Sequence, residues 1–223
     1  MRPTKKSLSF ALVIATLSIA PSALAQEFGK QGDAVFAGER LFGFSSTSAT
    51  LENPGPGDDV EYDGTSFSIG WRGSWGASSP YDVPRFAFDY LVIDGLSIGG
   101  SLGFASISED VDGGFIGANG DGSSVIFAPR VGYVYMFNDV IGIWPRGGFT
   151  YHSQNVDDSY DANGFGLNLE VMFPITPTEH FGFLVGPTLD LDFTGSLDPD
   201  GPADDVDLTY TTIGIQAGVF GWL

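Results

Sequence analysis

Seven charged residues stand where charge is unusual. Glu39, Arg85, Asp89, Arg130, Arg146, Glu170 and Asp190 all fall within segments that otherwise alternate large apolar residues with small or polar ones. In each segment the charge shares its face with Gly, Ala, Ser, Thr or Asn and stands opposite the Phe, Leu, Ile and Val residues. The chemistry open to such a set is ion pairing. A guanidinium offers five N–H donors in a planar fork that matches a carboxylate two bonds at a time. Charges left unpaired in a closed interior are costly. The seven are therefore expected to meet as an arginine–carboxylate network, and a satisfied polar core is favoured over a gated ion path.

Other reactive groups are sparse. His152 lies near one end of such a segment, and Ser153 is its neighbour. Adjacent residues on a strand point to opposite faces, so these two do not converge as a nucleophile and its base must. His180 falls in a turn. The chain has no Cys, no paired His cluster and no Gly-rich phosphate loop following a strand. No catalytic residue and no cofactor is assigned, and the chain is expected not to be an enzyme. Acidic residues crowd the connections, most densely in DPDGPADDVD, 198–207. Oxygen-rich segments with Gly suit Ca²⁺, which makes Asp198, Asp200, Asp204, Asp205 and Asp207 weak candidates. The EF-hand order is absent, and a solvated, mutually repelling surface is the plainer reading.

The elements that must position these groups are strands. The clearest is PRVGYVYMFNDVIGIWPR, 129–146, two alternating runs around Asn138-Asp139. Val131, Tyr133, Tyr135 and Phe137 share one face, and Arg130 and Arg146 lie on the other. Nine segments carry β patterns: 34–50, 65–75, 83–92, 96–106, 123–136, 140–153, 164–175, 181–194 and 208–223. Short connections (93–95, 138–139, 176–180) alternate strictly with long acidic ones (107–122, 154–163, 195–207). That asymmetry, with apolar residues on one face and charge on the other, predicts an all-β fold: a closed, antiparallel, up-and-down transmembrane β-barrel with short periplasmic turns and long acidic outer loops. Even strand parity makes eight strands the preferred number. It places residues 51–82 outside, with 65–75 either within a long first loop or extending a strand above the membrane.

A 45-residue offset relates Pro84-Arg85 through Asp94 and Ile98 to Pro129-Arg130 through Asp139 and Ile143. Counting from the turns puts Arg85, Arg130 and Arg146 at one height. Two features strain the pattern. Pro129, Pro145 and Pro187 fall within strands, where a ladder donor is lost, so bulges or missing bonds are expected. Glu39 and Arg40 are adjacent, and only a bulge beside Gly38 lets both avoid lipid.

The ends and the composition agree. Arg2, Lys5 and Lys6, the apolar run Leu8 to Ala20 and Ala23-Leu24-Ala25 form a signal peptide over 1–25, followed by a polar lead-in, 26–33, and a single barrel domain, 34–223. Nine basic residues less those three leave six against 28 acids, a mature net charge of −22. This excludes nucleic acid as a partner.

The final strand, with Ile213, Ile215, Ala217, Val219 and Leu223 on one face and Phe220 and Trp222 near its end, resembles the closing strand of small outer-membrane β-barrels of the OmpA/OmpX type. Leu223 replaces that group's usual terminal Phe. The resemblance covers 34–223 by pattern and implies a cell outer-membrane location, with outer-membrane lipid, lipopolysaccharide and, during assembly, the barrel-insertion machinery as partners; divalent cations are a further candidate. The preferred role is structural or surface-interacting, with a plugged polar lumen. Alternatives are a narrow ion or small-solute channel, a lipid-acting enzyme, and a soluble exported barrel holding an apolar ligand. The last needs apolar residues inside and none outside.

Overall fold

The computed structural model describes residues 28–52, 59–70, 79–109, 120–156, 160–199 and 205–223. Ten strands and one short helix make up these segments: β1 (Ala34–Leu51), β2 (Val60–Ile69), the 3-10 turn η1 (Pro80–Asp82), β3 (Arg85–Ile93), β4 (Leu96–Glu109), β5 (Gly120–Tyr133), β6 (Tyr135–Met136), β7 (Gly142–Val156), β8 (Tyr160–Thr178), β9 (Phe181–Pro199) and β10 (Val206–Trp222). All pairings are antiparallel, and the order β1-β3-β4-β5-β7-β8-β9-β10 closes when β10 pairs back onto β1. This is the expected ring of eight strands. Closure leaves the ring of wall strands without a free edge, the condition for spanning a bilayer with strands.

Side chains alternate as the pattern predicts. Phe86, Phe88, Phe127, Val131, Tyr133, Phe149, Leu169, Phe183 and Ile215 face outward and exposed, while Arg85, Asp89, Arg130, Arg146, Glu170 and Asp190 face inward and buried. The apolar face is the outer one, the reverse of a soluble ligand-holding barrel. Several strands are longer than a bilayer needs (~9–11 residues): β8 and β9 have 19 residues each. Much of what reads as long outer loops is therefore strand, rising beyond the belt.

Between 51 and 84 the path differs from the expected wholly external loop. Val60–Ile69 pairs with the outer half of β1, from Leu51↔Val60 to Phe42↔Ile69. β3 then takes the same side of β1 from Glu39↔Arg85 to Ala34↔Tyr90. β2 and β3 are thus two halves of one wall position, separated in sequence by the segment 70–84. Its described end, Ser79–Pro84, lies buried inside the barrel. Asp82, read as an outer-loop acid, is an interior residue. Of the candidate segment 65–75, residues 65–69 lie in β2, which shares its wall position with β3; residues 71–75 fall outside the described residues.

The bulge at Gly38 is present. The β1–β10 register shifts between Gly38 and Phe42, and Arg40 takes a φ of 54° there, a left-handed conformation that costs a non-Gly residue ~1–2 kcal/mol. In return both Glu39 and Arg40 are buried in the lumen. The prolines face outward. Each proline stands at a lapse in one of its two ladders: β5–β7 between Phe127↔Tyr151 and Arg130↔Gly148 at Pro129, β5/β6–β7 between Gly132↔Arg146 and Tyr135↔Ile143 at Pro145, and β8–β9 between Glu170↔Thr188 and Phe173↔Val185 at Pro187. The ladders on their other sides run unbroken through Pro145 and Pro187.

Candidate functional site: a stacked lumen

Three layers fill the barrel. The periplasmic layer is apolar: Phe28, Val35, Leu91, Val134, Trp144, Leu184, Phe220 and Trp222 are all buried in one cluster. Phe28 enters from the lead-in, where a turn holds it: the Asp33 carboxylate accepts from the backbone N–H groups of Gly29 and Lys30 at 2.9 and 3.0 Å, and Gly32 N–H donates to the Leu91 carbonyl at 2.9 Å. Its ring lies 5.0 Å from Phe220, 5.1 Å from Trp222 and 5.7 Å from Trp144, centroid to centroid.

The middle layer brings together all seven charged residues singled out in the sequence, and adds Arg40. Arg130 donates to both oxygens of Glu39, at 2.7 and 2.8 Å, and reaches Asp89 at 2.5 Å. Arg146 spans Glu39 and Glu170, each at 2.6 Å, with its guanidinium carbon 4.8 Å from the centre of the Trp144 ring. Arg40 joins Glu170 at 3.1 Å to Asp190 at 2.8 Å. Four arginines (40, 85, 130, 146) meet four carboxylates (39, 89, 170, 190), so the layer is charge-balanced. Arg85 is the exception in geometry. Its nearest carboxylate oxygen, on Asp190, is 3.9 Å away, and its hydrogen bond goes to the Tyr81 carbonyl at 3.3 Å. The expectation of three arginines at one height holds for Arg130 and Arg146, which share Glu39 and Glu170. Arg85 pairs with Gly103, four residues along β4 from the Gly99 that faces Arg130, so it sits toward the outer end. Arg40, whose inward direction depends on the bulge, takes the third place.

The outer layer is the inserted turn. Ser79 caps η1, accepting from Tyr81 N–H at 3.0 Å and from the Thr212 hydroxyl at 2.6 Å. Asp82 accepts from Ser45 at 2.7 Å and Ser66 at 2.6 Å. The Tyr81 hydroxyl donates to Asp192, which also accepts from Tyr210 N–H at 2.9 Å and lies 3.2 Å from His152 Nε2. Burial first, and then the nearby Asp192 carboxylate, raises the pKa of the Tyr81 phenol, which therefore stays a donor. The Tyr81 carbonyl accepts from Arg40 at 2.7 Å, which ties this layer to the one below.

His152 thus has a carboxylate in reach, while half-buried Ser153 lies on the other face of β7. Of the Ca²⁺ candidates, Asp198, Asp205 and Asp207 lie at the outer ends of β9 and β10; Asp200 and Asp204 fall outside the described residues. Among the described residues no three acidic or imidazole groups converge as a metal site. Sequence reasoning missed the inserted turn and Phe28. The available signals were Pro80 after Ser79, a turn signature, and a lone aromatic in a polar stretch; neither tells on which side of a wall the chain will lie.

No protein-family model and no curated protein matches the sequence. Among solved structures, the outer membrane protein AlkL, determined in DMPC bilayers, is similar with a TM-score of 0.59 at 13% identity, over 92% of this chain and 95% of that one. OprG from Pseudomonas aeruginosa and Neisserial surface protein A each give a TM-score of 0.47 at 13% identity, over 86% of this chain and 97% of theirs. At such identities the likeness is one of fold. With a closed eight-strand ring, an apolar outer belt and charge confined to the interior, the chain has the fold of the small outer-membrane β-barrels.

Proposed function

We infer that this barrel is closed to solutes and serves as a structural or surface-interaction protein, acting through its acidic outer rim. The observation that carries the reading is the interlocked middle layer: four arginines and four carboxylates cross the lumen at 2.5–3.9 Å. An eight-stranded barrel is only wide enough for side chains to fill, and breaking such a buried array to admit an ion costs several kcal/mol. The role is non-catalytic: His152, Asp192 and Tyr81 form a buried structural group beneath the inserted turn.

On the outside, the rim presents carboxylates to anionic lipopolysaccharide. Asp161 and Asp198 are partners across the β8–β9 ladder, so the rim gathers carboxylates. Cations bridging rim to lipid phosphate are the partner chemistry this reading supplies. Planar-bilayer recording of the purified chain tests closure: silent membranes are expected, and steady open currents would overturn it. Calorimetric titration with Ca²⁺ tests the rim, where absence of both heat and thermal shift removes the cation bridge.

A further inference from the structure

Arg40 and Arg85 converge from two strands on one neutral atom, the backbone carbonyl oxygen of Tyr81, at 2.7 and 3.3 Å. Both guanidiniums are at least 98% buried, and both Nε atoms lack a hydrogen-bond partner. For Arg40 the carbonyl supplements two carboxylates. For Arg85 it is the one hydrogen bond among the described residues, and the ion pair with Asp190 is long, at 3.9 Å. A buried guanidinium so placed can take a closer, fully charged acceptor. The group that answers it belongs to no wall strand. It is delivered by Ser79–Val83, whose polar contacts run from Tyr81 to Asp192, from Asp82 to Ser45 and Ser66, and from Ser79 to Thr212.

We propose that Arg40 and Arg85 form a binding site for a small oxyanion, a carboxylate or phosphate, which the chain's own Tyr81 carbonyl occupies in the closed state. An anion oxygen at the carbonyl's position receives the same two donors with a full charge in place of a partial one. Displacing the turn also withdraws Asp82, a carboxylate that repels the ligand. The neighbouring groups suit the exchange. Thr47 and Thr212, bonded to each other at 3.0 Å, and Thr150, whose buried hydroxyl has no partner, line the interior beside the turn. The site goes beyond the structural role inferred above and does not depend on it, since the ion pairs of Arg130 and Arg146 still cross the lumen when Arg40 and Arg85 hold an anion.

Because the turn competes with the ligand, apparent affinity is intrinsic affinity scaled by the fraction of molecules with the turn displaced. Loosening the turn must therefore tighten binding. The full-length chain, refolded in detergent, is titrated calorimetrically with inorganic phosphate and with sodium acetate at constant ionic strength. Tyr81→Phe with Asp82→Asn removes the phenol's bond to Asp192 and the charge that holds Ser45 and Ser66. At least tenfold tighter binding of one or both anions than in wild type is expected, and the preferred anion identifies phosphate or carboxylate as the ligand class. Adding Arg85→Gln abolishes the gain. Equal affinities for wild type and the loosened variant, or binding indifferent to Arg85→Gln, would overturn the proposal. A measurement without substitutions guards against misfolding: in wild type, the side-chain Nε–H resonances of Arg40 and Arg85 shift on anion titration while that of Arg130 does not. A uniform response, or none, also overturns it. Bilayer conductance reports separately on closure, so the two readings fail independently.

Discussion

Arg130 and Arg85 occupy the same interior and look alike in the sequence, each nine residues before a turn aspartate, yet their surroundings differ. Arg130 reaches three carboxylates: Asp89, which among the described residues it alone ion-pairs, at 2.5 Å, Glu39, shared with Arg146, and Glu170 at 3.5 Å. Arg130→Met therefore strands a buried charge, a change that costs ~3–5 kcal/mol. Arg85→Gln leaves Asp190 bonded to Arg40 and Asn168 and is expected to cost under ~1 kcal/mol. Urea unfolding of the refolded chain in detergent reads both, and similar losses would contradict the assigned geometry. That the charges would meet was legible, because each lies on the small-residue face of an alternating strand. Their unequal satisfaction was not. It depends on the strand stagger that carries Arg85 outward and on the left-handed backbone at Arg40, which turns an extra cation into the lumen.

At the scale of elements, alternation made all eight wall positions readable, 83–92 among them. It could not show that this position is shared by β2 and β3, whose sequences are separated by residues 70–84. Local sequence encodes a turn at Ser79-Pro80 but not the hollow into which it folds, since that hollow exists only after closure. Packing between strands offers a sharper test. A Cβ added at Gly148 would stand 2.0 Å from the Pro129 carbonyl oxygen, against 3.1 Å from the movable Leu169 side chain at Gly147. Backbone cannot yield as a side chain does. Gly148→Ala must part β5 from β7 beside Arg130, where the ladder already lapses. A loss of about 1–3 kcal/mol is expected, against less than about 1 kcal/mol for Gly147→Ala, measured by the same urea titration. Equal effects would mean that β5 and β7 lie farther apart at Pro129 than the structure places them.

Across the whole molecule, charge is sorted by side. Of the nine basic residues, four, Arg40, Arg85, Arg130 and Arg146, lie in the lumen, while the described outer strand ends are acidic and the outward belt carries no charge. The sorting is strict enough that one residue along a strand decides an arginine's fate. Val131 faces outward and is 55% exposed, so Val131→Arg places beside lipid the same group that Arg130 holds inside, at a cost of ~2–4 kcal/mol near the midplane. Closure is likewise a property of the whole, because the three layers lie in series along one axis. Removing Phe28 empties the centre of the apolar layer while leaving the ion-paired layer intact. Phe28→Ala should thus lower stability by about 3 kcal/mol without opening a current, since the arginines and carboxylates still cross the lumen above it. Paired unfolding and planar-bilayer measurements on that variant separate the two contributions. Steady conductance from Phe28→Ala alone would make the aromatic cluster the seal and reduce the charged layer to a wet lining that ions can pass.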